Sequence, residues 1–427
     1  MKYQRFQFKN YEFNPATKTL TLQYGYDDAL DFRETYTFDF DYIAYDAGAL
    51  DRAVQQLFFM AGVSYYKSFL APELEVLKGE LDEISAGFFS KTYQRGLGEF
   101  FYVNKLDPRT NVAFPVNAPD QPPQTVHGNG LLVGIGGGKD SLVSFELLRD
   151  SGLDIATWSL NHRAQLAPLL ERIGSPHYWV EREWDAQLFN LKDDPDAYNG
   201  HVPISAIFAC VGTVVAILSG RKDCIVSNEQ SANEPTLEYE GVAINHQYSK
   251  SQEFETDYQA FLSHHYGDGL RYYSLLRPLS ELRIAELFTN IGFEKYRDVF
   301  SSCNRAFVHE SNHMFWDGTC SKCAFVFLML TPFVPRTVLE TLFSGKNLLL
   351  DPMLKTTYKQ LLGIEGDKPL ECVGEVKESR AAMKLAQQSY PELASYSFEL
   401  PDDYDYKTIY SHQMPPEVWD VIKQKIV

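Results

Sequence analysis

A chain of 427 residues has room for two or three domains and a substantial core, and a hydrophobic content of 44% says that most of it folds. Its 57 acidic residues outnumber 39 basic ones, for a formal net charge of −18, and "EREWDAQ" and "LKDDPDAY" show no basic stripe, so large nucleic acids are not expected partners. The polar, alternating start "MKYQRFQFKNYEF" is unlike a signal peptide, no apolar run reaches the ~20 residues of a membrane span, and six cysteines fit a reducing cytoplasm, the expected location.

Residues 1–125 open with period-two alternation. "YQRFQFKNYEF", "KTLTLQYGY" and "ETYTFDFDY" predict antiparallel strands, with "NPAT" as the first turn. Helical spacing follows in "DRAVQQLFFMAGVSYYKSFL" and in two more stretches ending at "GEFFYVN". This reads as an N-terminal α+β domain that recognises substrate, covers the site or forms a dimer face. The Pro-rich "FPVNAPDQPPQ" reads as a linker.

Residues 126–296 alternate short apolar runs with helices. "LLVGI", "DIATWSL" and "DCIVSN" are strand-like, and "AIFACVGTVVAIL" is a buried helix. The fold class expected is α/β, a doubly wound parallel sheet, followed over 297–427 by a mostly helical region with a cysteine cluster.

The stretch "LLVGIGGGKDSLVSFE" places a strand, a glycine turn and a helix start in succession. Backbone N–H groups and the helix dipole there form an anion site, and Asp140 or Ser141 is the expected helix cap. The Rossmann and Walker spacings both fail, since Lys139 stands where the last Rossmann glycine is needed. Gly136, Gly137, Gly138, Lys139, Asp140 and Ser141 resemble instead the S-G-G-x-D-S loop of the PP-loop ATP pyrophosphatase superfamily, with Gly136 in place of the usual serine. Polar groups at later strand tips support the likeness: Asn161 and His162, then Ser227, Asn228 and Glu229, then Asn233 and Glu234. "LLRPLSELRIAELF" resembles the segment closing that superfamily's ATP domain, a strand ending in Arg-Pro-Leu before a helix, and contributes Arg277.

Nearly the whole chain resembles the ATP-dependent UDP-N-acetylmuramoyl-L-alanyl-L-glutamate epimerase family. The most specific stretches are "YQRGLGEFFYVN", "NGHVPIS", "SNEQSANEPTLEYEGVAINHQYSKSQEFE" and "ECVGEVKESRAAM". The resemblance implies ATP and Mg²⁺, release of AMP and pyrophosphate, and inversion of the terminal glutamate of a UDP-muramoyl dipeptide. It implies phosphate contacts from the glycine turn, with Asp140 and Glu229 on Mg²⁺, and Glu234 as a base or second metal ligand. Arg277 and Lys250 are candidates for gripping phosphate or carboxylate. His201 and His246 are candidates for facing substrate.

Cys303, Cys320 and Cys323 form a C-x₁₆-C-x₂-C cluster with His309 and His313 between them. A Zn²⁺ site of three cysteines and His309 is one reading. Catalytic thiols are another, with Cys372 as a further base, and inert buried cysteine is the third; it suits Cys210 and Cys224 best. A ligase or nitrile synthase on a small carboxylate, and a nucleotide-binding module without chemistry, are the rival functions.

Overall fold

The structure, a computed structural model, describes residues 2–307 and 313–427. Three N-terminal strands, β1 (Arg5–Asn14), β2 (Thr19–Tyr26) and β3 (Leu30–Asp39), form an antiparallel meander. The Asn14 side chain makes the first turn by accepting from the Ala16 and Thr17 N–H groups. A short strand that local pattern does not reveal, β4 (Glu73–Val76), runs parallel to β1.

The apolar runs of the central region form β5 (Leu131–Gly134), β6 (Ile155–Leu160), β7 (His177–Glu183) and β8 (Asp223–Val226). A small hairpin, β9 (Leu237–Tyr239) and β10 (Val242–Ile244), stands apart, and β11 (Arg271–Ser274) completes the parallel set. The nine-stranded sheet has the order β11-β8-β5-β6-β7-β3-β2-β1-β4. The N-terminal meander therefore does not build a separate sheet. It continues the parallel one through antiparallel β3–β7 pairing, Thr35 opposite Glu183 to Asp39 opposite Trp179.

Both faces of the parallel half are covered. Leu132, Cys224 and Tyr272 join one core with the helices Ala47–Ala61 and Ile204–Ser219; Leu131, Val133, Ile225 and Tyr273 join the other with Lys139–Leu148, Glu281–Ile291 and Ser321–Leu330. Adjacent residues face opposite cores, which is why these strands read as unbroken apolar runs. From β5 the chain goes outward through β6 and β7, then returns to lay β8 and β11 on the other side. The reversal falls between β5 and β8, the point at whose carboxyl ends doubly wound sheets bind their ligands.

Three local expectations change. Residues 114–124 carry no helix or strand, but Phe114 is buried among Phe8, Phe59, Phe89 and Tyr93, so the segment is fastened to the core. The last parallel strand ends at Ser274, and the chain turns over the next four residues, so Arg277 and Pro278 lie in the turn and not on the strand. The helix after the glycine turn is capped by Gly138, leaving Asp140 and Ser141 inside its first turn. Among the described residues no helix is long and apolar enough to cross a membrane.

One buried ion pair fastens the two halves of the sheet. Glu34 faces the core because the alternation of Phe32, Tyr36 and Phe38 puts it there. Its Oε1 accepts from Arg182 Nε of β7 at 2.8 Å, and both side chains are buried. Replacing Arg182 by Met strands the carboxylate and should cost about 3–5 kcal/mol, while pairing it with Glu34→Leu should restore most of the loss. Urea unfolding of the three proteins measures this.

Candidate active site

The glycine turn joins the end of β5 to the helix Lys139–Leu148, at the point where the strand order reverses. Gly137 has φ of +88°, and an added Cβ would lie 3.0 Å from Met314 Sδ and 3.1 Å from Leu166, so only glycine fits without movement. Around Gly136, by contrast, an added Cβ meets nothing within 4 Å. No side chain caps the helix Lys139–Leu148, so the N–H groups of its first turn remain available to an anion. The Ser141 hydroxyl donates to the Gly138 carbonyl at 3.1 Å. The Ser144 and Ser227 hydroxyls meet at 2.7 Å and join this helix to the tip of β8.

Lys139 is buried and ion-paired with both Asp140 and Glu281. Burial pulls its ammonium pKa down, but the two carboxylates outweigh that and raise it. Burial raises the Glu281 pKa against Lys139, helped by Asp140 and Glu229. Behind it, Glu378 accepts from the Glu281 N–H at 2.9 Å, and burial lifts its carboxyl to about 8. Asp140, Glu229 and Glu281 thus gather negative charge around Lys139 beside the glycine turn, and carboxylate oxygens are the ligands a hard divalent cation takes.

Cys372 stands next to this group. Lys250 Nζ donates to its sulfur at 3.2 Å, and His246 Nε2 lies 3.8 Å from it. The other ring nitrogen of His246 is bound to Glu99. Burial pushes the thiol up, but Lys250 and His246 overcome it and bring the pKa down to about 6. Burial pulls His246 down, but Cys372 and Glu99 raise it to about 9. The stable form near neutrality is therefore a thiolate–imidazolium pair oriented by a carboxylate. His201, 3.7 Å from Glu99 and ring to ring with His246 at 4.6 Å, is driven to about 4 by burial and by His246, and stays neutral. Lys250 also feels the charges of Glu229 and Asp140, which puts thiol and glycine turn in one electrostatic neighbourhood.

Other expected residues sit behind this centre. Asn161 bonds the backbone of Arg182 both ways, at 2.6 and 3.2 Å, so it closes the end of the β6–β7 ladder. Arg277 is fully buried and donates to Glu255 and to the carbonyls of Glu229 and Lys250, so it positions their chain segments rather than projecting a free fork. The Asn228 carbonyl accepts from the Ser274 hydroxyl at 2.6 Å. Glu234 pairs with Lys368 at 2.7 Å and ties its loop to the segment before Cys372. Cys303, Cys320 and Cys323 cluster together, apart from Cys372; His309 lies outside the described residues. Cys210 and Cys224 are buried and their thiols are pushed up by burial, Cys210 to about 12.

Sequence reasoning misses Glu99, Glu281 and Lys322. Glu281 follows the capping Ser280 and reads as an ordinary first-turn acid. Lys322 stands between two cysteines, yet its ammonium donates to the Cys372 carbonyl.

The doubly wound sheet makes this an α/β protein, with a glycine turn at the end of β5 and the Cys372 thiol in the same electrostatic neighbourhood. Residues 1–275 match the sequence profile of the MurL N-terminal domain, and residues 299–396 that of the MurL C-terminal domain. Three curated relatives are each named UDP-N-acetyl-alpha-D-muramoyl-L-alanyl-L-glutamate epimerase. The Xanthomonas oryzae pv. oryzae protein is 35% identical over 98% of this chain and 96% of its own. That of a Micromonospora species is 40% identical over 79% of this chain and 75% of its own, and that of Salinispora tropica 38% identical over 89% and 84%. The chain belongs to this epimerase family.

The thiol's state is directly measurable. Iodoacetamide labelling of Cys372, followed by peptide mapping, should rise through a midpoint near about pH 6, since the thiolate is the reactive form and is lost below that value. His246→Gln removes one group that lowers the thiol pKa and should move the midpoint upward.

Proposed function

We propose that the chain inverts the terminal L-glutamate of UDP-N-acetylmuramoyl-L-alanyl-L-glutamate, using ATP to activate the glutamate α-carboxylate and the Cys372–His246 pair to move the α-proton. The carrying observation is the contact of the Cys372 sulfur with His246 and Lys250, in the same charged neighbourhood as the glycine turn. On this reading the fold is of the PP-loop ATP pyrophosphatase type, and the turn cradles the ATP phosphates.

The chemistry explains why an epimerase has a phosphate site. A proton alpha to a free carboxylate leaves only with great difficulty, because the carbanion adds a second negative charge. Attack of the carboxylate oxygen on the α-phosphorus of ATP forms the acyl adenylate and expels pyrophosphate. The carboxylate charge is gone, and the carbonyl becomes an electron sink. The Cys372 thiolate takes the α-proton, and the bond electrons pass to the carbonyl oxygen as an enolate, stabilised by a preorganised polar site. A proton returned to the opposite face gives the D-centre, and water releases AMP. A base with a pKa near 6 is deprotonated at neutral pH yet basic enough to act.

The residues also fit Mg²⁺. Asp140 and Glu229, with Glu281 beside them, would hold it, and the ion would neutralise phosphate charge during pyrophosphate release. Lys139, fixed by Asp140 and Glu281, contributes a nearby positive charge. Lys250 holds the sulfur as thiolate.

The test is incubation with ATP, Mg²⁺ and the dipeptide substrate in D₂O. The wild type should give AMP, pyrophosphate and a D-glutamyl product carrying one deuterium. Cys372→Ser should still release AMP but exchange the α-proton about 10²–10⁴-fold more slowly. Gly137→Ala should lose both activities through its clash with Met314, whereas Gly136→Ser, placed in open space, should keep both. AMP with an unlabelled L-product from the wild type would transfer the reading to a ligase or nitrile synthase. No AMP would end both.

The pair also sets a pH profile. Below about 6 the thiolate is protonated, and above about 9 His246 loses the charge that stabilises it. kcat/KM should therefore rise through the first value and fall through the second, as a property of the coupled pair.

A further inference from the structure

Behind the thiol lies a second cluster. Cys303, Asp317, Cys320 and Cys323 each offer a donor atom, and all four atoms lie within 4.8 Å of one another. Cys303 and Cys323 are fully buried, and Cys320 caps the buried helix Ser321–Leu330, its sulfur accepting from the Cys323 N–H at 3.4 Å. The Asp317 carboxylate is built into place. Its Oδ1 accepts from the Thr319 N–H at 2.9 Å and lies 3.4 Å from the Cys323 sulfur. Its Oδ2 takes the Thr319 hydroxyl at 2.8 Å and Arg305 at 3.2 Å. One oxygen is thus turned toward the sulfurs, and the other is held by partners outside the cluster.

Three thiolates and one carboxylate make a set for a borderline-soft, four-coordinate ion. Thiolates disfavour Mg²⁺ and Ca²⁺, and four protein ligands with no open position mark a structural rather than a catalytic metal. We propose that Cys303, Cys320, Cys323 and Asp317 bind one structural Zn²⁺, and that this knot fixes the glycine turn and the Cys372 loop relative to each other. The fourth ligand is the carboxylate of Asp317, which no cysteine–histidine spacing indicates.

The connections run both ways from the knot. On one side, the Cys303 N–H donates to the Ser301 hydroxyl at 3.0 Å, and the Ser301 N–H donates to the Gly137 carbonyl at 3.0 Å. On the other, Lys322, between two of the ligands, donates to the Cys372 carbonyl, and Asn304 donates to Glu371 at 2.7 Å. The metal site stands on its own geometry. Its positioning role rests on the reading that the turn and Cys372 serve one reaction.

The experiment begins with metal analysis of the full chain, purified without metal-affinity resin and dialysed against EDTA. About one zinc per chain is expected to remain. Cys323→Ser should lose it, and Asp317→Ala should release it at a chelator concentration that the wild type withstands. Exchange of Zn²⁺ for Co²⁺ in the wild type should give the intense visible bands of tetrahedral thiolate coordination, whether or not the variants fold. A zinc-free protein, Co²⁺ bound without those bands, or a Cys320–Cys323 disulfide would overturn the site. Asp317→Ala holding zinc as tightly as the wild type would overturn the fourth ligand. Stripping the metal from the wild type with a strong chelator should raise amide exchange at residues 136–142 and 371–374 together. Unchanged exchange there would overturn the positioning role. None of these readouts depends on epimerase turnover, so failure of the proposed reaction leaves them interpretable.

Discussion

The site depends on one buried cation that touches no reacting atom. Arg277 has no exposed surface, and its guanidinium binds Glu255 Oε2 at 2.9 Å, the Glu229 carbonyl at 2.6 Å and the Lys250 carbonyl at 2.5 Å. Removing such a charge from water costs several kcal/mol unless every direction is answered, so the arrangement is nearly all-or-none. Glu229 stands with Glu281 near the glycine turn, and Lys250 carries the ammonium that donates to the Cys372 sulfur. One guanidinium therefore sets the separation between the Glu229 and Lys250 segments. Its planar fork, satisfied in several directions at once, is something a lysine does not reproduce.

The distribution of charge around the glycine turn differs from that of the chain as a whole. The chain carries a formal charge of −18, yet a UDP-linked dipeptide and ATP would both arrive as anions. Lys139 and Lys322 are almost wholly buried, and with Lys250 they stand among the carboxylates of Asp140, Glu229 and Glu281 and offset their charge. The negative total thus belongs to the chain as a whole, while three ammonium groups are concentrated around the glycine turn and Cys372.

Much of this was legible in the chain. The three alternating strands, the apolar parallel strands and the glycine turn all declare themselves through period and turn chemistry, and Cys372 and His246 come from the motif-bearing segments. What escapes is long-range. The pairing of β3 with β7 joins residues more than a hundred positions apart and leaves no local trace. Glu99 sits in a short helix beside phenylalanines, and its approach to His246 follows from tertiary packing alone. Arg277 shows the opposite difficulty. A conspicuous arginine in a resembling motif suggests contact with phosphate, but complete burial assigns it to backbone carbonyls. The cap falls at Gly138, not at Asp140 or Ser141, because the backbone is already helical from Lys139.

The seam between β3 and β7 bears on how such a chain can evolve. Doubly wound nucleotide sheets are often treated as interchangeable parts that recombine with new neighbours. Here the outermost parallel strand is also an interior strand of the whole sheet, its remaining edge stitched to the N-terminal meander and locked by Glu34 and Arg182. Cut loose, the parallel half would present a row of unpaired amides and carbonyls on β7, the kind of open edge that recruits other strands indiscriminately. The meander is thus a permanent cover for that edge, and the two halves are bound to be inherited together.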